Sequence, residues 1–338
     1  MQKILINKEQ SYAIEFIRAI SAIMIVVCHI FQGLNNELAF WFNVGVQVFL
    51  FMSGFLMARN PIESKKEFFI KRLSKIIISY YIFLILSLFL YSTLGVGIEI
   101  KSIIVYVLCL QGIVYKNIIP GLEHLWFISV ILVCYVLTIF LNVCRDKIMN
   151  CNKVSLYLMA IGILILVQIA VNGSVVPIAF GARIGAFILG YFVSCRCRMV
   201  IKRSTVIKVC VFTVVTLIVR IYFTYFNKID DFDINKVFND YFVNWQHTLL
   251  GCFIFILFYY LISMHGNKNR VLTNIVRGIS KYSYEIYLVH QPFILGPLSI
   301  LFLTKSLSVN VVIITILICI SSIIVYHSSN FIKKAFLK

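Results

Sequence analysis

Apolar residues in this chain fall in long runs, not in the short alternations that strands require. Runs of roughly 17 to 25 residues, the length a helix needs to cross a bilayer core, recur from one end of the sequence to the other. They lie at about 14 to 33, 40 to 58, 76 to 94, 102 to 119, 124 to 143, 154 to 171, 176 to 195, 206 to 226, 241 to 263, 282 to 303 and 310 to 332. Barrel strands would instead give segments of about ten alternating residues. The run at 102 to 119 is broken by Gln111 and Gly112 and ends at Pro120 and Gly121. Backbone that is not helical at membrane depth has to be buried in protein or line a wet cavity. The pattern predicts an all-α integral membrane protein of about ten transmembrane helices, with one short re-entrant or partial segment at 102 to 119. A single membrane domain is expected over residues 1–338.

Composition agrees with a bilayer as solvent: 61% of residues are hydrophobic and only 13% are charged, which would leave a water-soluble fold with a large apolar surface. The net charge of +18 is gathered into six basic clusters between apolar runs: Lys3 and Lys8, Arg59 to Lys75, Arg145 to Lys153, Arg196 to Lys208, Lys268 to Lys281, and Lys333 to Lys338. Placing all six in the cytoplasm puts 23 of the 31 Lys and Arg inside and five (Lys101, Lys116, Lys228, Lys236, Lys305) outside. That is the positive-inside bias of a membrane protein, and it replaces nucleic acid as the reason for the charge. It also demands an even number of crossings between Lys75 and Arg145, which is why the broken run is read as partial. Both termini are then cytoplasmic. The longest outer loop, Asn227 to Asp240, carries Asp230, Asp231, Asp233 and Asp240. Ten scattered cysteines show neither metal-ligand spacing nor a secreted disulfide framework, and they read as reduced. The first run contains Glu15, Arg18 and His29 and lacks a small-residue cleavage site, so no cleavable signal peptide is expected.

Ionisable groups within spans cost at least about 2.5 kcal/mol each at the bilayer centre and mark pathways or chemistry. Arg18 and His29 are eleven residues apart, three turns plus about 20°, so they share a helix face about 16 Å apart along the axis. Glu15 lies on that face too, where a Glu15–Arg18 ion pair is the structural alternative. His124 opens GLEHLWFIS, and Trp126 beside it suits the interfacial aromatic belt. Glu285 and His290 stand five residues apart in KYSYEIYLVHQPF, about 140° around a helix, and do not form a paired face. Arg183 sits among small residues in FGARIGAFILGYF, where close helix approach and substrate contact are both open. Arg72 and Lys75, with Lys71, form a basic helix start that reads either as a topology signal or as a phosphate clamp.

Four blocks of motif make a resemblance specific. FIRAISAIMIVVCHIF, with Arg18 and His29, resembles the first helix of the membrane acyltransferase-3 family. GVQVFLFMSGFLMARN resembles its second helix, with the Ser-Gly-Phe-Leu core at Ser53 to Leu56, and FFIKRLSKIIISYYIF resembles the basic start of its third. HLWFIS and KYSYEIYLVHQPF resemble its later histidine blocks, and GARIGAFILGYF its arginine-containing helix. Lys75 stands where the family commonly has a second arginine, which keeps the charge without the bidentate fork, and Ile78 where a proline is expected.

The resemblance implies an O-acyltransferase, with acetyl as the default group, that moves an acyl group from cytoplasmic acyl-CoA to a hydroxyl of a surface saccharide such as O-antigen, capsule or exopolysaccharide. It implies the inner membrane of a bacterium, no metal and no nucleic acid. His29 would act as general base and Arg18 would contact the donor or the developing oxyanion. Arg72, Lys75 and Lys71 would bind the donor phosphates, and His124, Trp126, Arg183 and His290 would bind substrate. A free imidazole, with a pKa of about 6.5, suits proton removal near neutral pH. Ser53 is conceivable as a nucleophile, although helix packing accounts for it better. The competing class is a transporter or flippase for a lipid-linked saccharide, whose usual inverted repeats are not evident.

Overall fold

The structure, a computed structural model, describes residues 5–114, 118–174, 176–197, 200–227, 229, 231–266 and 269–336. Lys3, Lys116, Lys228, Asp230, Lys268 and Lys338, used above to set the topology, lie outside the described residues. Thirteen α-helices and no strand occur among the described residues: α1 (Lys8–Gly33), α2 (Leu38–Phe42), α3 (Gly45–Arg59), α4 (Lys65–Thr93), α5 (Ile100–Val107), α6 (Trp126–Asn150), α7 (Lys153–Asn172), α8 (Ala179–Arg196), α9 (Arg203–Ile221), α10 (Phe232–Val237), α11 (Asn244–His265), α12 (Arg270–Ile294) and α13 (Leu307–Phe336). Among the described residues, eight helical stretches are long and apolar enough to cross a membrane. α8 and α12, which the apolar pattern also counts as crossings, fall outside those eight, because both interleave polar and charged residues with apolar ones.

Local chemistry sets the helix ends. Asn7 Oδ1 accepts from Gln10 N at 2.7 Å while Gln10 Oε1 accepts from Asn7 N at 3.2 Å, a reciprocal cap at the start of α1. Ser64 Oγ accepts from Glu67 N at 3.3 Å and starts α4 eleven residues before the apolar run at 76, so the basic residues 65 to 75 are helical. Asp231 caps α10 in the same manner. α10 and a π-helical stretch (Phe238–Val243) then lead into α11, so much of the segment read as an outer loop is helical.

The chain divides into two compact units. Unit 1 comprises Met1–Ser21, Val44–Pro61 and Val136–Thr273; unit 2 comprises Ala22–Asn43, Ile62–Tyr135 and Asn274–Lys338. α1, α6 and α12 contribute residues to both.

Unit 1 is built on backbone contact between helices. A Cβ added at Gly54 would lie 1.9 Å from Phe187 O, and one at Gly190 would lie 2.0 Å from Phe51 O, so α3 and α8 touch main chain to main chain. Gly251 of α11 meets Gln47 of α3 in the same way. Small residues allow this approach, which stands in for the hydrophobic drive that lipid removes. The Ser-Gly-Phe-Leu motif is therefore, at Gly54, a packing requirement. Phe51, Phe55, Phe255 and Tyr259 fill the adjoining core.

In unit 2 the eight-residue α5 is about 12 Å long, too short to cross. Side chains meet the backbone at 109 to 112 that follows it. Ser129 Oγ donates to Cys109 O at 2.6 Å and accepts from Gly112 N at 3.0 Å. Gln111 Nε2 donates to Leu125 O at 2.7 Å. Tyr80 donates to Tyr106 O at 2.6 Å, and Tyr106 in turn donates to Leu122 O at 3.2 Å. These bonds meet the condition for irregular backbone at depth. Gly121 has a φ of +78° and its main chain lies against that of Gly296, where an added Cβ would meet Gly121 Cα at 2.7 Å. This pairing seats the turn before His124 against the end of α12, a helix that contains Pro292.

Candidate active site

Unit 2 gathers three of the chain's six histidines from three separate blocks of sequence. His29 comes from α1, His124 from the 3-10 turn (Glu123–Leu125) that opens α6, and His290 from α12. Their ring centroids lie 4.7 Å apart for His29 and His290, 4.9 Å for His124 and His290, and 6.4 Å for His29 and His124. Phe83 of α4 stands beside His124 at 6.4 Å. His290 is fully buried and His124 is 3% exposed. Among the described residues no group of three or more His, Cys, Asp or Glu has the geometry to hold a metal ion.

Each ring is held by named atoms. His29 Nδ1 lies 2.9 Å from Ile25 O and 3.1 Å from His290 Nε2. His290 Nδ1 lies 2.7 Å from Tyr287 O, and His124 Nε2 lies 2.9 Å from Leu288 O. The backbone around His124 is fixed too: its N–H donates to Gln291 Oε1 at 3.0 Å, and its carbonyl accepts from the Tyr287 hydroxyl. Gln291 Nε2 donates to Glu123 Oε2, and Glu123 Oε1 accepts from Gly121 N at 3.0 Å. His124 Nδ1 is buried with no hydrogen-bond partner in the protein, leaving a lone pair for a bound hydroxyl or water.

Tyr287, Gln291 and Glu123 carry no role in the sequence reading. A signal for the first two was available, since positions 287 and 291 lie three residues before and one after His290, and are themselves one turn apart on α12. Glu285 turns to α4, where Ser79 Oγ donates to its Oε1 at 3.1 Å, with Lys75 and Lys333 close enough to act on it electrostatically.

The remaining sequence-derived residues are spread more widely. Arg72, Lys71 and Lys75 lie on the first turns of α4 in unit 2, Lys71 and Lys75 exposed and Arg72 half-buried. Arg72 precedes Phe83 by eleven residues, about 16 Å along α4. Trp126 begins α6, half-buried and next to the histidines in sequence. Arg18 and Arg183 belong to unit 1, on α1 and α8, both half-buried. α1 runs from Lys8 to Gly33 and carries both Arg18, in unit 1, and His29, in unit 2.

A family model described as an acyltransferase domain matches residues 11–327. No curated protein and no solved structure matches the chain. That match spans the motif blocks at His29, His124 and His290 and decides for an enzyme over a transporter: the protein belongs to the membrane acyltransferase-3 family and is a multi-pass membrane acyltransferase.

Proposed function

We propose that the protein is an O-acyltransferase that takes an acyl group, acetyl by default, from cytoplasmic acyl-CoA and delivers it to a hydroxyl of a cell-surface saccharide such as O-antigen, capsule or exopolysaccharide. The observation that carries this reading is the convergence of His29 with the buried His124 and His290, in a unit whose α4 carries Arg72 and Lys75 in its first turns. His29 is the general base. It removes the acceptor's proton as the hydroxyl oxygen bonds to the thioester carbon, the carbon–sulfur bond breaks, and the departing thiolate takes up a proton. The bare Nδ1 of His124 suits an acceptor hydroxyl, with Trp126 as a flat apolar surface beside it for a sugar ring.

Arg72 and Lys75, aided by Lys71, bind the donor phosphates at the cytoplasmic mouth. Arg18, on the same helix as His29, is assigned to contact with the donor. Arg183 is assigned to substrate contact within unit 1. The protein sits in the cytoplasmic membrane of a bacterium with both termini inside. Labelling single cysteines in a Cys-free background should then reach position 232 from outside and position 200 only from inside, and strong outside labelling at 200 would overturn the topology.

The decisive experiment compares the O-acetyl content of surface glycan by NMR with and without the gene, together with transfer of radiolabelled acetyl from acetyl-CoA by the purified chain. Unchanged glycan and no transfer would defeat the assignment.

A further inference from the structure

Three neighbouring imidazoles leave open which nitrogen moves the proton, and the carbonyl groups around them decide it. A carbonyl oxygen only accepts, so a ring nitrogen that bonds to one carries the hydrogen. His290 Nδ1 faces Tyr287 O at 2.7 Å, which leaves the lone pair of the neutral ring on Nε2. That lone pair faces His29 Nδ1 at 3.1 Å. His29 Nδ1 also faces Ile25 O at 2.9 Å and therefore carries hydrogen as well, so the basic nitrogen of His29 is Nε2. The two acceptors around His29 Nδ1 are unequal. The Ile25 carbonyl is where the helix directs the backbone N–H of residue 29, whereas His290 Nε2 is an otherwise unoccupied lone pair on a ring with no exposed surface.

We propose that His290 is a positioning residue that acts through His29. It accepts the Nδ1–H of His29, holds that ring in the tautomer with Nε2 basic, and shares the positive charge that forms during transfer. The proposal rests on the reading of His29 as base. When the acceptor O–H bond breaks, its proton goes to His29 Nε2, and both nitrogens of His29 then bear hydrogen. The Nδ1 hydrogen shifts toward His290 Nε2 while His290 keeps its own Nδ1 hydrogen on Tyr287 O, spreading the charge over two rings. It returns as the thiolate takes the proton from His29 Nε2, so no proton is consumed. In serine-protease triads a buried carboxylate fixes the tautomer of the base and stabilises its positive charge without taking the proton. A neutral imidazole does it here without holding an anion in a low-dielectric interior, whose desolvation is costly.

The test uses the full-length chain in lipid bilayers with ¹⁵N-labelled histidine, the rings assigned from His29→Gln and His290→Gln samples. Solid-state NMR should show His29 with hydrogen on Nδ1 and a bare Nε2, and a correlation across the hydrogen bond from His29 Nδ1 to His290 Nε2. Hydrogen on His29 Nε2 with a bare Nδ1, or no such correlation, overturns the proposal whatever the activity. With acetyl-CoA as donor, His290→Leu should lower kcat by roughly 10²-fold while the donor KM stays within about threefold. His290→Gln, whose carbonyl oxygen can accept the same N–H, should recover at least about a tenth of the original kcat. Equal losses in the two variants would mean a packing role and overturn the proposal. Full activity in His29→Gln would instead bring down the base assignment, and the NMR result would still report on the hydrogen bond.

Discussion

The two units bury polar groups for different ends. In unit 1 the fully buried cations are Arg59, Arg145 and Arg220. Arg59 reaches Leu5 O and the Tyr259 hydroxyl and lies 4.5 Å over the Phe55 ring; Arg145 donates to Ala58 O at 2.8 Å; Arg220 donates to Gln246 Oε1. Each ties one segment to another, and the glycines at 54 and 190 bring α3 and α8 into backbone contact. In unit 2 three imidazoles lean on one another, two of them buried, and Nδ1 of His124 has no hydrogen-bond partner in the protein. A charge buried in a membrane protein is therefore not by itself a sign of chemistry. Neighbouring groups that can exchange a proton, with a lone pair left over, are the better sign.

Substitutions can break this contrast, and the largest effect should come from unit 2. His29→Gln, which retains a hydrogen-bonding side chain but cannot take a proton, should lower transfer by about 10² to 10⁴, with acyl-CoA binding and membrane insertion near normal. More than about a tenth of the original turnover would move the base role to another histidine. In unit 1 the expected effect is on stability. Gly54→Ala forces a methyl group onto the Phe187 carbonyl and should cost at least about 1 to 3 kcal/mol. Gly162→Ala in α7, where an added Cβ meets nothing within 4 Å, should be neutral or stabilising by up to about 1 kcal/mol. Thermal unfolding in lipid nanodiscs would separate the two, and equal midpoints would mean that α3 and α8 are not in backbone contact.

Smaller changes sharpen the reading of unit 2. Arg72→Ala should raise the KM for acetyl-CoA by about tenfold, the scale of one lost hydrogen bond to a charged group, and leave the acceptor KM alone. If neither Arg72→Ala nor Lys75→Ala alters donor affinity, that helix start is only a topology signal. Tyr287→Phe removes the hydroxyl that donates to the His124 carbonyl and should cost kcat a few-fold, about 1 kcal/mol. An unchanged kcat would remove Tyr287 from the machinery that positions His124.

Much of the helical fold is legible in the sequence because apolar length is a local property. The weakness of the run at 102 to 119 is readable from Gln111 and Gly112, but the shortness of α5 depends on tertiary bonds from Tyr80 and Ser129 that no local pattern contains. Phase within α12 separates Glu285 from His290, and in the structure Glu285 accepts from Ser79 while His290 faces Tyr287 O and His29. The cluster itself is less legible. His29 and His290 meet across 261 positions, and helical phase carries no information between helices. The motif blocks named the three histidines without indicating that two of them would share a hydrogen bond, or that Gln291 would brace the backbone of the third.

Pro292 is the one proline inside a helix among the described residues, two positions after His290. In an α-helix the N–H of residue 292 would bond to the carbonyl of residue 288, and proline has no N–H to offer. Leu288 O is thus vacated by the sequence of its own helix, and His124 Nε2 occupies it at 2.9 Å. The useful property of this residue is a missing atom. Its absence creates an acceptor at one chosen height on α12, and that acceptor selects which nitrogen of His124 keeps its hydrogen. Any other residue at 292 would return a rival donor to that carbonyl and put the protonation pattern of the neighbouring ring back into competition, without altering a single side chain in the cluster.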